Sequence, residues 1–244
     1  MIRFEPVGLS GTRVGFTSMT EGNLALHVGD NPEAVADRRR ELESRLGVRD
    51  GSLRFMNQIH SADVHVVGDE SGSAKAPTAD ALVSVDGTVP LAVMVADCVP
   101  VVFAGVAGGF VATAVAHAGR AGLLDGVLEA TVRALRNAGA VDIQAWIGPA
   151  VCGSCYEVPT EMAETAEKRL PGIRTTTRRG TSGLDLPGTA RRLLEAEGID
   201  VVRVDICTIE DTHYYSHRRD PRSGRFAGLV WGTTAGGAGE ERTP

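Results

Sequence analysis

Five apolar runs, at 64–67, 81–85, 91–96, 101–104 and 110–116, follow one another with only breaks containing Gly, Pro or Asp between them. They are rich in Val and Ala and short, which reads as strands. No helical stretch separates them, so the regular alternation of strand and helix that builds a doubly wound parallel sheet is missing. The expected fold class is α+β, a single domain with central β-sheets flanked by helices. Helical periodicity appears around this block. Asp30-Asn31-Pro32 caps a helix at 33–46 that Gly47 stops, with Val35, Leu42 and Leu46 near one face. Leu124, Val127, Leu128, Val132 and Leu135 form the apolar stripe of a second helix, 123–138. Weaker helices are expected at 161–170 and 188–197, and further strands at 143–147, 201–206 and 226–231.

No linker composition interrupts residues 1–231, which are read as one domain, and the small, polar tail 232–244 is expected to be disordered. A hydrophobic content of 43% suffices for a substantial core. The net charge of −6 argues against nucleic-acid binding by broad phosphate neutralisation. The N-terminus lacks a cationic segment followed by an apolar run, and no stretch is long enough to span a bilayer, so a soluble cytoplasmic protein with no membrane partner is expected. The oligomeric state is not encoded in any pattern. Four cysteines are too few for a disulfide scaffold. Cys207, at the end of the run 201–206, reads as core.

Three positions place a metal-competent side chain at the edge of an apolar run: His60, Cys98 and His117. Two imidazoles and a thiolate would leave a fourth tetrahedral position open on zinc, the pattern of a catalytic site. The same side chains support a metal-free alternative, with Cys98 as nucleophile, His117 as its base, and Asp97 or Gln58 orienting them. Cys152-Gly153-Ser154-Cys155 is a redox pair, half of a zinc site, or incidental; no second C-x-x-C follows it. The segment 211–225 carries two Tyr, two His and several Arg, of which Arg218, Arg219 or Arg225 suits phosphate or carboxylate, unless the segment is an ordinary surface turn.

Taken in order, Asn57-Gln58-Ile59-His60, Ala79-Asp80-Ala81-Leu82-Val83, Ala96-Asp97-Cys98-Val99-Pro100, His117-Ala118-Gly119, Ile147-Gly148-Pro149, Tyr156-Glu157-Val158, Leu184-Asp185-Leu186 and Tyr215-Ser216-His217-Arg218-Arg219-Asp220 resemble the laccase-domain family, also called the YfiH or peptidoglycan editing factor family. The resemblance implies a YfiH-like fold and one metal, zinc or copper, held by His60, Cys98 and His117. It also implies a purine nucleoside enzyme: phosphorolysis of adenosine, inosine and methylthioadenosine, with adenosine deamination. On that reading Cys98, His117 and Asp97 are catalytic, while Gln58, Arg120 and Arg218 bind nucleoside and phosphate. Arg13 and Arg54 are further phosphate candidates, and Asp97 or Glu157 would carry a proton. Other activities implied are amide hydrolysis on peptidoglycan precursors, through the metal or the Cys98 thiolate, and phenol oxidation with copper, for which six histidines are few. A non-enzymatic scaffold would instead close the site with Cys152 or Cys155. The family usually reads His-Ala-Gly-Trp-Arg-Gly, whereas Arg120-Ala121-Gly122 follows here, so the aromatic is missing and the Arg displaced.

Overall fold

The computed structural model describes residues 1–68 and 75–232; all but the first residue of the expected disordered tail lies outside them. In chain order the strands are β1 (Ile2–Phe4), β2 (Thr12–Phe16), β3 (Val64–Val67), β4 (Ala81–Ser84), β5 (Leu91–Val95), β6 (Val99–Ala107), β7 (Phe110–Ala118), β8 (Val141–Ile147), β9 (Arg174–Thr176), β10 (Ser182–Leu184), β11 (Asp200–Arg203) and β12 (Phe226–Gly232). The helices are α1 (Pro32–Leu46), α2 (Arg120–Asp125), α3 (Val127–Asn137), α4 (Thr160–Arg169) and α5 (Leu186–Ala196). Among the described residues no helix is long and apolar enough to cross a membrane.

Two sheets stack face to face. One is four-stranded, ordered β1-β2-β12-β5 and antiparallel throughout. The other is six-stranded, ordered β11-β8-β6-β7-β4-β3, antiparallel at its centre with a parallel pair at each edge. Alternation along β5 shows how the layers form. Leu91, Val93 and Val95 join Val14, Phe16 and Phe226 against Val102, Val115 and Trp146 of the larger sheet. Ala92 and Met94 point the other way, toward Leu42 and Leu46 of α1. On the far face of the larger sheet, Phe103, Ala114 and Ala116 pack on Leu128, Val132 and Leu135 of α3 and Leu194 of α5. The order of layers is thus helix, sheet, sheet, helix. The central strands are buried on both faces, which is why their sequences are continuous apolar runs instead of alternating ones.

The side chain of Asn31 caps α1 by accepting from the N–H groups of Glu33 and Ala34. That cap contributes about 1 kcal/mol, less than the roughly 1.5–3 kcal/mol available from burying each of Val35, Leu42 and Leu46. Packing therefore decides where α1 sits. The single helix expected at 123–138 is two helices. Gly126 adopts a left-handed conformation, φ 88°, ends α2 by donating to Gly122 O and Leu123 O, and begins α3. Strands β1 and β2 had no clear signal, because β1 is a three-residue edge and β2 contains Gly15 and two polar residues.

Candidate metal centre

Asp80, fully buried at the start of β4, organises the site. Its carboxylate accepts from three successive backbone N–H groups, those of Ile59 (3.1 Å), His60 (3.0 Å) and Ser61 (2.6 Å), and from Ser61 Oγ (2.9 Å). The loop wraps the anion as a nest, and His60 takes a left-handed φ of 62° to do so. The fifth donor is His117 Nδ1 at 2.8 Å, and the His117 N–H also donates to Asp80 O at 2.7 Å. One aspartate thus positions two histidines that are distant in the sequence. Pinning Nδ1–H leaves His117 Nε2 as the donor atom for an ion, the arrangement found behind metal-bound histidines.

Cys98 arrives between β5 and β6 on a tight turn in which Asp97 has φ 85°. Its Sγ lies 3.8 Å from His60 Nε2, and the His60 and His117 rings meet edge to face with centroids 4.6 Å apart. The three ligand atoms all fall within 4.8 Å of one another. Burial pushes the Cys98 thiol up, but the His117 and His60 imidazoles outweigh it and hold it at about 6. Burial alone would lower His117; the Cys98 thiolate and Asp80 overcome this and raise it to about 9. The donor chemistry and spacing fit a divalent zinc or copper ion.

The site opens into a cavity of about 220 Å³ lined by His27, Gln58, His60, Met94, Cys98, His117, His217 and Arg225, among others. Four of the six histidines in the chain converge here. Gln58 uses its amide in both directions on the Met94 peptide, donating to its O (2.7 Å) and accepting from its N–H (2.9 Å). Asp97 does not line the cavity. Its carboxylate accepts from Thr208 Oγ1 (2.6 Å) and the Arg218 N–H (2.7 Å), so it anchors the Cys98 turn. Arg120 opens α2 outside the cavity. Arg218 stacks over Tyr156, donates to Glu157 O, and lines a different cavity of about 810 Å³. Arg219 spends its guanidinium on the carbonyls of Thr208, Ile209, Asp211 and Tyr214.

Sequence reading missed Asp80, His27 and His217 as site residues, and Arg225 was one of several candidates. Asp80 and His217 stood inside the matching blocks, but nothing local distinguished them from capping or surface residues. His217 Nδ1 is held by Pro221 O at 3.2 Å, and Arg225 Nη1 by Ser223 O and Gly224 O. Cys207 also departs from expectation. It is half-buried and clusters with Cys152, Cys155 and Glu210, because β11 ends at Arg203 and the chain leaves the sheet before reaching it. Cys152 and Cys155 therefore belong to this second cluster and do not close the first.

Gly119 explains the glycine of the His-Ala-Gly block. Its φ of −70° suits any residue, but a Cβ there would sit 2.6 Å from His60 Cδ2 and 3.2 Å from Cys98 Sγ. Gly119→Ala is expected to weaken metal affinity about tenfold by displacing the His60 ring, with circular dichroism unchanged. Unaltered metal content after dialysis against a chelator would refute the steric role.

Residues 9–233 match the family of multi-copper polyphenol oxidoreductase laccases. A purine nucleoside phosphorylase of Mycobacterium tuberculosis is 44% identical over 212 residues, covering 86% of this chain and 84% of the relative. One from Streptomyces coelicolor is 41% identical over 235 residues, covering 91% and 96%. Among solved structures, YfiH of Bacillus licheniformis superposes with a TM-score of 0.81 at 27% identity, covering 91% of this chain and 93% of that one. A Neisseria meningitidis protein gives 0.80 at 33% identity, covering 96% and 99%. With the match running through both sheets and every residue of the His60, Cys98 and His117 centre, the chain belongs to the laccase-domain, YfiH-like family.

Proposed function

We propose that this chain is a metal-dependent purine nucleoside phosphorylase acting on adenosine, inosine and methylthioadenosine, with zinc or copper held by His60, Cys98 and His117. The observation that carries this reading is one cavity holding both the three-ligand cluster and the cationic Arg225. A metal site beside a guanidinium suits a substrate pair of which one member is inorganic phosphate. The names of relatives at about 40% identity support the same chemistry.

A bound ion supplies a Lewis acid at the cavity wall. The remaining work falls to the chain's own residues. Asp80 keeps the His117 ring in one tautomer and orientation. Arg225, whose Nη1 is engaged by backbone carbonyls, directs its remaining donors to phosphate. His217 lines the same cavity with Nδ1–H committed to Pro221 O, and only as the imidazolium would it pass the Nε2 proton to the departing purine, returning to the neutral ring. The cavity, at about 220 Å³, is below the range of roughly 300–1,000 Å³ common for ligand pockets. It therefore encloses the reacting part of the nucleoside, with the rest across its mouth.

A second reading rests on the depressed Cys98 thiol beside a protonated His117, the pairing of a thiolate nucleophile for amide hydrolysis. The test is to incubate metal-loaded protein with each nucleoside plus phosphate and quantify the pentose 1-phosphate (ribose 1-phosphate, or 5-methylthioribose 1-phosphate from methylthioadenosine), free base and ammonia. Ribose 1-phosphate is expected from the wild type and lost in His117→Ala and in chelator-stripped protein. Deamination appears as ammonia from adenosine, and phenol oxidation as an activity of copper-loaded protein alone. No pentose 1-phosphate from any of the three nucleosides would overturn the phosphorylase reading. Amide cleavage that survives metal removal but not Cys98→Ser would establish the second.

A further inference from the structure

The cluster of Cys152, Cys155, Cys207 and Glu210 is independent of the centre described above. Its four ligand atoms, three Sγ and one carboxylate oxygen, all lie within 4.8 Å of one another. We propose that this cluster is a second metal site, a closed zinc site that staples together the two loops behind Cys98.

The backbone is built as two facing knuckles. In the first, Cys152 O accepts from the N–H groups of Cys155 (3.0 Å) and Tyr156 (3.0 Å). In the second, Cys207 O accepts from those of Glu210 (3.1 Å) and Asp211 (2.9 Å). Each knuckle therefore runs ligand-x-x-ligand around the same turn, C-x-x-C in one and C-x-x-E in the other, the spacing that pairs zinc ligands. A parallel bridge between Ala150 and Cys207 holds the knuckles in register, through Ala150 N–H to Ile206 O (3.2 Å) and Thr208 N–H to Ala150 O (3.1 Å). The Cys152 N–H donates to Cys207 Sγ at 3.5 Å, the kind of bond that supports a thiolate ligand. Cys155 Sγ stands 3.5 Å from Glu210 Oε1.

Size and charge agree with zinc. Thiolates at about 2.3 Å from a tetrahedral zinc stand about 3.8 Å apart, so a spread of at most 4.8 Å closes by side-chain rotation. Three thiolates and a carboxylate over-neutralise a divalent ion, and the ion pair from Arg178 to Glu210 offsets part of that excess. Soft sulfur ligands select zinc over magnesium or calcium. A cavity of about 230 Å³ lined by Cys152, Cys207, Glu210 and Arg178 provides the path of entry.

The staple bears on the first centre through Asp97. Val151, next to Cys152, donates its N–H to Asp97 O (2.9 Å), and Thr208, next to Cys207, donates Oγ1 to Asp97 Oδ1 (2.6 Å). Both knuckles thus grip the residue that precedes Cys98. With zinc in place, the left-handed turn at Asp97 is clamped from two sides, and the Cys98 thiolate is held toward His60 and His117.

The experiment is metal counting on the full chain, purified and zinc-loaded under reducing conditions, and does not depend on any nucleoside activity. About two zinc ions per chain are expected in the wild type, and about one in either His60→Ala/His117→Ala or Cys152→Ser/Cys207→Ser. Cobalt substitution distinguishes the remaining site: an intense thiolate-to-metal band persists in the histidine variant and falls to single-thiolate strength in the cysteine variant. In the unaltered protein, alkylation mapped by peptide mass gives an independent reading. Cys152, Cys155 and Cys207 should be protected by zinc and modified after chelation. One zinc per chain in the wild type that is retained in Cys152→Ser/Cys207→Ser, or equal alkylation of the three cysteines with and without zinc, overturns the proposal.

Discussion

Replacing Asp80 with Asn is expected to weaken metal binding at the proposed His60, Cys98 and His117 centre and to lower the melting temperature by roughly 10 °C, an estimate from a cost of about 3–5 kcal/mol for breaking a buried charged network in a chain of this length. The carboxylate accepts five hydrogen bonds and donates none. An amide turns half of that acceptor into a donor facing other N–H groups, leaving buried donors unpaired at about 1–3 kcal/mol each. The pKa gives a consistent scale. Burial pushes the Asp80 carboxyl up, but the His117 imidazole and the Ser61 donors hold it from 3.8 down to about 2. A depression of that size is worth about 2 kcal/mol of stability. Because the folded value is the lower one, this contribution is present above pH 3.8 and lost as the pH falls toward 2. Loss of the partner behind His117 should also reduce metal affinity by about 10–100-fold or more. Calorimetric melting and elemental analysis check the two effects separately. A variant that melts like the wild type and retains its metal would show that the nest around Asp80 does not organise the site.

Metal affinity is expected to rise steeply with pH. Without an ion, Cys98 titrates at about 6 and His117 at about 9, each displaced by the other, so between those values the pair is a thiolate and an imidazolium. A metal ion needs the thiolate and the neutral imidazole, so binding in this window expels the His117 proton. Affinity should therefore increase about tenfold per pH unit between about 6 and 9, more steeply below, and level off above. Competition against a chelator at several pH values, with proton release measured by calorimetry in buffers of different ionisation heat, tests this. A flat profile would mean that the two groups are not coupled as the geometry requires. In Asp80→Asn the imidazolium loses a stabilising anion, and the upper bend of the profile should move to lower pH.

The layered fold was legible in the sequence because sheets buried on both faces demand unbroken apolar runs, and β4 to β7 carry them. What escaped was local. Gly126 splits a helix whose apolar stripe continues across the break, since Leu123 and Val127 are both buried. Cys207 follows an apolar run yet lies beyond the strand, because β11 pairs with β8 only through Arg203. Arg218 and Arg120 carried the right chemistry for phosphate, but neither is among the residues that line the His60, Cys98 and His117 cavity, and Arg218 lines another. Arg225, equally plausible beforehand, is the guanidinium that lines it.

The sequence by itself determined the strand block, the α+β class and the three ligand candidates at its edges, because burial and ligand chemistry are properties of residue types in a short window. Only the tertiary structure decided that Asp80 holds His60 and His117 together, that His27, His217 and Arg225 share their cavity, and that Cys207 and Glu210 complete a cluster begun by Cys152 and Cys155. Each of these is a meeting of side chains from loops far apart in the chain. Their convergence is set by strand order and sheet stacking, which no local pattern of residues encodes.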